Sequence, residues 1–175
     1  MNAAARFPAG GLDRDERGLA LLEFALLLPL LLLLLAIVID LCFCYNARLN
    51  TLRGITAGAL YAFEKGGTVT SANAEQLRTT IADIVRQGAG STPPTVTVLV
   101  NNVAGASAAD SFYCTSGSPT QWRASGPTST ACGDQTMSAK FITIRTAGTY
   151  QSRVPIISLG AQIFSLSDII VVRAR

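Results

Sequence analysis

One apolar run near the N-terminus constrains this chain more than any other feature. Phe24 to Ile39 contains no charged residue and reads FALLLPLLLLLLAIVI, and after Asp40 the apolar character continues to Tyr45. A helix rises about 1.5 Å per residue, so this run is long enough to cross a bilayer core of about 30 Å. A buried helix of a soluble protein would carry polar residues along one face, and this run carries none. The sequence therefore predicts a transmembrane helix over residues 19–45.

The flanks of this helix predict its orientation. Three arginines precede it and two follow it closely, which is a small excess of positive charge on the N-terminal side. Long segments that follow a membrane helix are translocated largely regardless of charge, so the long C-terminal part favours export. No small-x-small cleavage motif follows the apolar run, which favours a membrane anchor over a cleaved secretion signal. We expect the N-terminus inside and the C-terminal part outside.

The composition argues against catalysis and against nucleic-acid binding. The chain has no histidine, which removes the commonest general base and the commonest transition-metal ligand. Its net charge is only +3, and no basic cluster is present to follow a phosphate backbone. The sequence contains no zinc-binding spacing, no phosphate-cradling loop and no nucleophile elbow. We therefore expect no enzymatic activity, no cofactor, no metal and no nucleic-acid partner.

The start of the apolar run has a distinctive arrangement of residues. Gly18 is followed by four apolar residues and then by Glu23 and Phe24, within RGLALLEFALLLPLLLLLL. This arrangement resembles the processing site of type IV prepilins, and the wider run is similar to the TadE-like minor pilins, or pseudopilins, of tight-adherence (Flp) pilus systems. The similarity is concentrated in residues 17 to about 60. A weaker likeness is present at Tyr150–Pro155 and in the C-terminal strand.

The resemblance implies that a prepilin peptidase cuts after Gly18, so that Leu19 becomes the new N-terminus. Type IV pilins are thought to pair their matching glutamate, here Glu23, with the N-terminal amine of a neighbouring subunit. Such an amine is positive at neutral pH, and pairing would compensate two charges that are costly to desolvate. The resemblance also implies an inner-membrane protein with a periplasmic C-terminal domain. Its partners would be other pilins and pseudopilins, the inner-membrane pilus assembly platform and the lipid bilayer.

Plainer interpretations stand beside these. Glu23 is harmless if it lies hydrated at the inner interface. Pro29 is either tolerated, as proline often is in membrane helices, or it permits a kink that helps a subunit leave the bilayer. For the whole chain, the alternative is an unprocessed, signal-anchored periplasmic module that binds or senses a ligand. A membrane-tethered enzyme is a third and weaker hypothesis.

The exported part predicts a small α+β head. The apolar spacing continues the first helix to about Glu64 and predicts a second helix over residues 74–87, with Asn73 as its cap and Gly88 as its stop. Three further segments have the pattern of strands, namely TVTVLV at 95–100, FITIR at 141–145 and DIIVVR at 168–173. Asn101 and Asn102 are turn residues. The strands are expected to form a short, mainly antiparallel sheet.

These elements predict four consecutive regions. They are a cytoplasmic leader (1–18), a transmembrane helix (19–45), a periplasmic continuation of that helix (46–65) and a periplasmic α+β head domain (66–175). The fold class is thus α+β, with a long N-terminal transmembrane helix that extends into a small head containing a second helix and the sheet.

The stretch from Val103 to Ala139 is rich in small and polar residues and shows no strong periodicity. Loops of this length are usually functional or disordered. In an oxidising periplasm, a disulfide between Cys114 and Cys132 would stabilise it by about 3 kcal/mol, and two free buried thiols are the alternative. Trp122 in the same stretch either covers the core or anchors a partner.

Overall fold

The computed structural model describes residues 13–90, 93–117, 120–152 and 164–174, with side chains from Gly18 onwards. The first twelve residues of the predicted leader lie outside the described residues, as does the Tyr150–Pro155 likeness from residue 153 onwards. The chain divides into two compact units, residues 1–41 and residues 42–175.

The first helix, α1, spans Asp13–Lys65, and a single 3-10 turn follows at Gly66–Thr68. It begins earlier than the sequence predicts and ends within one residue of the predicted end at about Glu64. All side chains from 19 to 35 are exposed, and leucine dominates this stretch. An apolar surface of this extent marks contact with lipid or with other proteins, because monomeric soluble proteins rarely expose one.

The unit formed by residues 42–175 contains the rest of the secondary structure. The second helix, α2, spans Ala74–Ala89. In the part of the chain that the structure describes, seven strands follow in chain order: β1 (Thr95–Val100), β2 (Phe112–Ser116), β3 (Gln121–Gly126), β4 (Phe141–Ala147), β5 (Thr149–Tyr150), β6 (Phe164–Ser165) and β7 (Asp168–Arg173). A 3-10 turn at Ala106–Asp110 lies between β1 and β2.

The three predicted strands form one antiparallel sheet in the order β1-β4-β7. In its register Ile144 lies between Val98 on β1 and Ile170 on β7. Two smaller antiparallel pairs accompany it, β2 with β3 and β5 with β6. The predicted α+β class, with a long N-terminal helix, a second helix and an antiparallel sheet, is therefore confirmed.

The core of the head lies between α2, one face of the sheet and the last turns of α1. Strand β1 alternates as a half-buried strand should, since Val96, Val98 and Val100 are buried and the threonines between them are exposed. One stripe of α2 meets this face at helical spacing. The same buried cluster contains Leu77, Ile81 and Val85 of α2, Ile55 and Ala62 of α1, and Ile142 and Ile144 of β4.

Glycines allow α1 and α2 to cross at backbone contact. A Cβ added to Gly88 would lie 2.4 Å from the Cα of Gly54, and one added to Gly54 would lie 2.5 Å from the carbonyl oxygen of Val85. The expectation that Gly88 ends α2 is therefore wrong, and the helix ends at Gly90, whose φ is +78°. Here a residue that usually stops helices is retained inside one because only glycine fits the crossing.

Asn73 does not cap α2 with its side chain, contrary to the sequence-based expectation. Its Oδ1 instead accepts a hydrogen bond from the backbone N–H of Thr70 at 2.7 Å, and its Nδ2 donates to the carbonyl of Thr68 at 3.3 Å. The side chain thus orders the turn that leads into the helix. Asparagine is favoured both in turns and at helix N-caps, and here the Asn73 side chain forms its hydrogen bonds in the turn.

The stretch from Val103 to Ala139 has regular structure, which the sequence pattern did not predict. It contains the 3-10 turn and the β2–β3 hairpin. Trp122 of the hairpin packs edge-on against Phe141 of β4, with ring centroids 5.2 Å apart. Of the two interpretations of Trp122, packing over the sheet is the one that the structure shows.

One buried hydroxyl in the sheet has no hydrogen-bond partner among the described residues, that of Thr143. Its residue is 2% exposed and pairs with Leu99 and Val171 across the strands. Because an unpaired buried hydroxyl costs about 1–3 kcal/mol, Thr143→Val should raise the stability of the head by about 1 kcal/mol. Thermal unfolding of the full chain in detergent measures this, with exposed Thr97→Val as the control. A lower unfolding temperature for Thr143→Val alone would contradict it.

Candidate functional site

The residues predicted for processing (Gly18 and Leu19) and two of those predicted for assembly (Glu23 and Phe24) lie on the exposed surface of α1. Gly18, Leu19, Glu23 and Phe24 are all exposed, with Leu19 at 68% and Phe24 at 56%. Apart from the neighbouring backbone of α1 itself, no atom of the described residues lies within 4 Å of the position where a Cβ on Gly18 would stand. The junction is therefore accessible to another protein, and the fold of this chain does not itself require glycine at position 18.

Leu19 and Glu23 are brought onto one face of α1. They are four residues apart in a continuous helix, which places them about 6 Å apart along its axis. Among the residues with described side chains, Glu23 has no ion-pair partner. A carboxylate on an otherwise apolar helix surface is unfavourable in lipid unless a positive group approaches it.

Two further residues interrupt the apolar surface of α1. Pro29 lies inside the helix, which continues on both sides of it, so the lost backbone hydrogen bond does not end the helix. Asp40 is 4% exposed, in contrast to the exposed leucines that precede it. Its burial differs from the hydrated position that is usual for a carboxylate.

A membrane-spanning role for α1 is consistent with its length and apolarity. Among the described residues, one helix is long and apolar enough to cross a bilayer, and it lies near the N-terminus. Its apolar window is 6% buried within the chain, whereas the core helix of a soluble protein is mostly buried. The segment therefore presents its side chains outward, as a membrane anchor does.

The second predicted feature, the disulfide, is present. It joins Cys114 on β2 to Cys132 in the segment after β3, with a Cα–Cα distance of 5.8 Å. The segment is also held by backbone hydrogen bonds and by hydroxyl groups: Ser138 Oγ accepts from the backbone N–H of Thr130 at 2.8 Å and from the Ser125 hydroxyl at 3.1 Å. With so little apolar contact, the covalent bond is a main source of order here.

Breaking this bond should destabilise the hairpin. For a sequence separation of 18, the chain-entropy model gives about 3 kcal/mol, so Cys114→Ser should lower stability by about that amount. Denaturant unfolding of the full chain in detergent measures the loss. Cys42→Ser is the matched control, because Cys42 is exposed and free. Alkylation of both Cys114 and Cys132 in the unreduced, denatured protein would contradict the pairing.

A buried lysine, which the sequence pattern did not single out, connects the hairpin to the rest of the head. Lys140 is 7% exposed; its Nζ donates to the carbonyl of Val69 and lies 5.3 Å from the centroid of the Phe112 ring. Burial lowers the pKa of Lys140, and the nearby Asp110 carboxylate acts in the opposite direction. Hydrogen bonds from Ser71 in turn hold the pKa of Asp110 below its ordinary value. The group is structural, because each member joins two segments of the head.

The turn after β1 also has a structural role that the sequence pattern does not indicate. Asn101 and Asn102 have φ angles of 53° and 59°, as turn residues can, so the predicted turn is present. Asn101 is in addition fully buried. Its Nδ2 donates to the carbonyls of Ala108 and Ser111 at 2.7 and 2.9 Å, and its Oδ1 accepts from the backbone N–H of Phe141 at 2.8 Å. One side chain thus holds the 3-10 turn against β4.

Catalytic or metal-binding geometry does not emerge from the described residues. Within ranges 18–90, 93–117, 120–152 and 164–174, no group of three or more His, Cys, Asp or Glu side chains is placed to hold a metal ion. The predicted functional residues instead fall into two sets, the accessible junction on α1 and the disulfide-closed hairpin.

Comparison with known proteins gives one match. Residues 18–59 match the model of the TadE-like protein family, which confirms the resemblance that the junction predicts and supports an association with the tight-adherence pilus. The matched range begins at Gly18 and lies entirely within α1. No curated protein and no solved structure matches the chain.

Proposed function

We propose that this chain is a minor pilin or pseudopilin that takes part in assembly of a tight-adherence pilus at the inner membrane. The observation that carries the proposal is the order of residues at the start of α1. Gly18, Glu23 and Phe24 open an exposed apolar helix, and the TadE-like match begins at the same glycine. The role requires no enzymatic activity of the chain itself and no cofactor.

The proposed first step is removal of the leader by a prepilin peptidase. The bond between Gly18 and Leu19 breaks by hydrolysis, which leaves a carboxylate on Gly18 and a free amine on Leu19. The exposed backbone at this point and the open space around Gly18 support access by a protease. The residues before the cut are charged and those after it apolar, so the bond lies where the chain enters the membrane.

The proposed second step is lateral packing of mature subunits. The new amine of one subunit pairs with Glu23 of its neighbour, and the exposed leucine surface of α1 packs against other helices instead of lipid. Other pilins and pseudopilins, the assembly platform and the bilayer are the partners in this step. We place the leader in the cytoplasm and the head in the periplasm, where an oxidising environment suits the Cys114–Cys132 disulfide.

N-terminal sequencing of the protein purified from its host tests the proposal. A mature chain that starts at Leu19 supports it, and a chain that retains Met1 contradicts it and favours the unprocessed, signal-anchored binding module. A Gly18→Val variant should keep the leader, because a peptidase subsite shaped for glycine excludes a branched side chain. Ala20→Val is the matched control, since it adds the same branched side chain two residues away and both positions are exposed.

A further inference from the structure

The two edges of the three-stranded sheet differ in character. At the β1 edge the outward side chains are the exposed, polar Thr95 and Thr97 and the half-buried Leu99, and Pro94 lies immediately before the strand. At the β7 edge the outward side chains include Ile169 at 67% exposure and Val171 at 49%. The β1 edge therefore resembles the polar edges that proteins use to avoid pairing with other chains, and the β7 edge does not.

The orientation of β7 follows from its alternation. Ile170 and Val172 pack against the buried cluster of the head, so Ile169, Val171 and Arg173 project from the opposite face. β7 pairs with β4 over its full length without a break in register, and it contains no proline and no lysine. Among the described residues, no strand pairs with its other side. The strand therefore lacks the proline, lysine and bulge that often block edge pairing, and its charged residues, Asp168 and Arg173, lie at its two ends.

The charge on this face points to the chemistry of the partner. Arg145 lies beside Ile169 in the register, and Arg173 ends the strand, while no outward position of β1, β4 or β7 carries a carboxylate. Arg145 donates to the Asn102 side chain and Arg173 to the carbonyl of Met137, so neither positive charge is neutralised by these bonds. Asp134 exerts a weak pull on Arg173, but its carboxylate accepts hydrogen bonds from Thr136. The face is apolar and cationic.

We propose that the β7 edge binds an extended, acidic segment of a partner protein, which adds to the sheet as a fourth strand. Backbone hydrogen bonds to β7 hold the segment. On one of its faces two apolar side chains meet Ile169 and Val171, and a carboxylate lies opposite Arg173. β1 of a second copy carries no carboxylate and does not fit this description, and a pairing of two β7 strands through Asp168 and Arg173 is an outcome that the test below distinguishes.

This inference goes beyond the proposed pilus function and does not depend on it. The edge lies within residues 42–175, which are present whether or not the leader is removed. Retention of the leader in the host would overturn the pilus proposal and leave the strand-addition site untouched. Conversely, a failure to bind extended acidic peptides would remove the site and leave the pilus proposal standing.

The test uses the full chain in detergent and labelled peptides that differ in one position. The first peptide carries two valines and a glutamate on one face and threonines on the other; the second has lysine in place of the glutamate; the third has a central proline. We expect the glutamate peptide to bind, the lysine peptide to bind about tenfold more weakly, and the proline peptide not to bind. Amide hydrogen exchange should slow in β7 and remain unchanged in β1.

Variants of the chain supply the matched controls. Arg173→Glu should reverse the preference between the glutamate and lysine peptides, and Val171→Thr, a conservative change on an exposed position, should weaken both by about fivefold. Thr97→Lys at the β1 edge should change neither. Equal affinity for all three peptides, protection of β1 instead of β7, or self-association that Val171→Thr removes would each overturn the proposal.

Discussion

Replacing Glu23 with alanine should leave membrane insertion intact and reduce incorporation into a pilus-like assembly by at least about a hundredfold. The proposed contact pairs the Glu23 carboxylate with the amine of Leu19 on a neighbouring mature subunit, away from water. Removing one partner of a buried ion pair costs about 3–5 kcal/mol, because the other charge remains buried and uncompensated. The measurement is the amount of this chain in sheared pilus fractions, relative to the amount in membranes.

A double substitution separates pairing from other roles of Glu23. If Glu23 acts through the amine that processing releases, its replacement should have no further effect in a Gly18→Val chain, which keeps the leader and never exposes that amine. Glu64→Ala is the control for loss of a carboxylate, since Glu64 lies on the same helix, its side chain is 70% exposed, and it forms a surface ion pair with its neighbour Lys65. Normal pilus incorporation of Glu23→Ala would contradict the pairing.

The elements with strong periodicity could be predicted from the sequence. The apolar run of α1, the apolar stripe on α2 and the alternation in β1 are each periodic patterns of apolar and polar residues. Such a pattern predicts the type of element and the side chains that avoid water. The bounds predicted for β1 and β7 agree with the structure. These segments depend on local pattern, and tertiary contacts reinforce that pattern.

The hairpin could not be predicted in this way, because its order has another source. Thr115 and Ser116 on β2 and Ala124 and Ser125 on β3 provide little apolar alternation. A disulfide, a hydroxyl network and the packing of Trp122 hold it, and these contacts join residues that are distant in sequence. Local pattern carries no information about such contacts.

The error at Gly88 has a similar physical reason. A glycine near the end of a helical pattern usually stops the helix, since its backbone is free to leave the helical region. Here the close approach of Gly54 makes glycine necessary inside the helix, and the chain reverses only at Gly90. The requirement comes from α1, which is separated from α2 in sequence, so no pattern within α2 reveals it.

The candidate functional residues likewise divide into those that a local sequence pattern predicts and those that it does not. Gly18, Leu19, Glu23 and Phe24 were identified from a contiguous pattern, and the structure places them together on an exposed helix surface. The strand edge at Ile169 and Val171 was not identified from the sequence, because the residue pattern of β7 is compatible with both an edge strand and a central strand. Only the strand order β1-β4-β7 makes it an edge.

Replacing Asn101 with glycine should lower the free energy of unfolding of the head by about 4 kcal/mol. We expect no other single substitution in the turn after β1 to lower it as much. The amide of Asn101 serves three backbone groups: the carbonyl of Ala108 in a buried hydrogen bond, and the carbonyl of Ser111 and the N–H of Phe141 in partly buried ones. Each group left unpaired costs about 1–3 kcal/mol. Glycine tolerates the φ of 53°, so the substitution removes the hydrogen bonds without adding backbone strain.

Asn102→Gly is the matched control for this prediction. Asn102 has nearly the same φ, 59°, but its side chain accepts only an exposed hydrogen bond from Arg145 at 3.1 Å. It should therefore cost well under 1 kcal/mol, as surface substitutions usually do. Denaturant unfolding of both variants in detergent compares them directly. Equal stability of the two variants would mean that the turn geometry, and not the buried amide of Asn101, holds the 3-10 turn against β4.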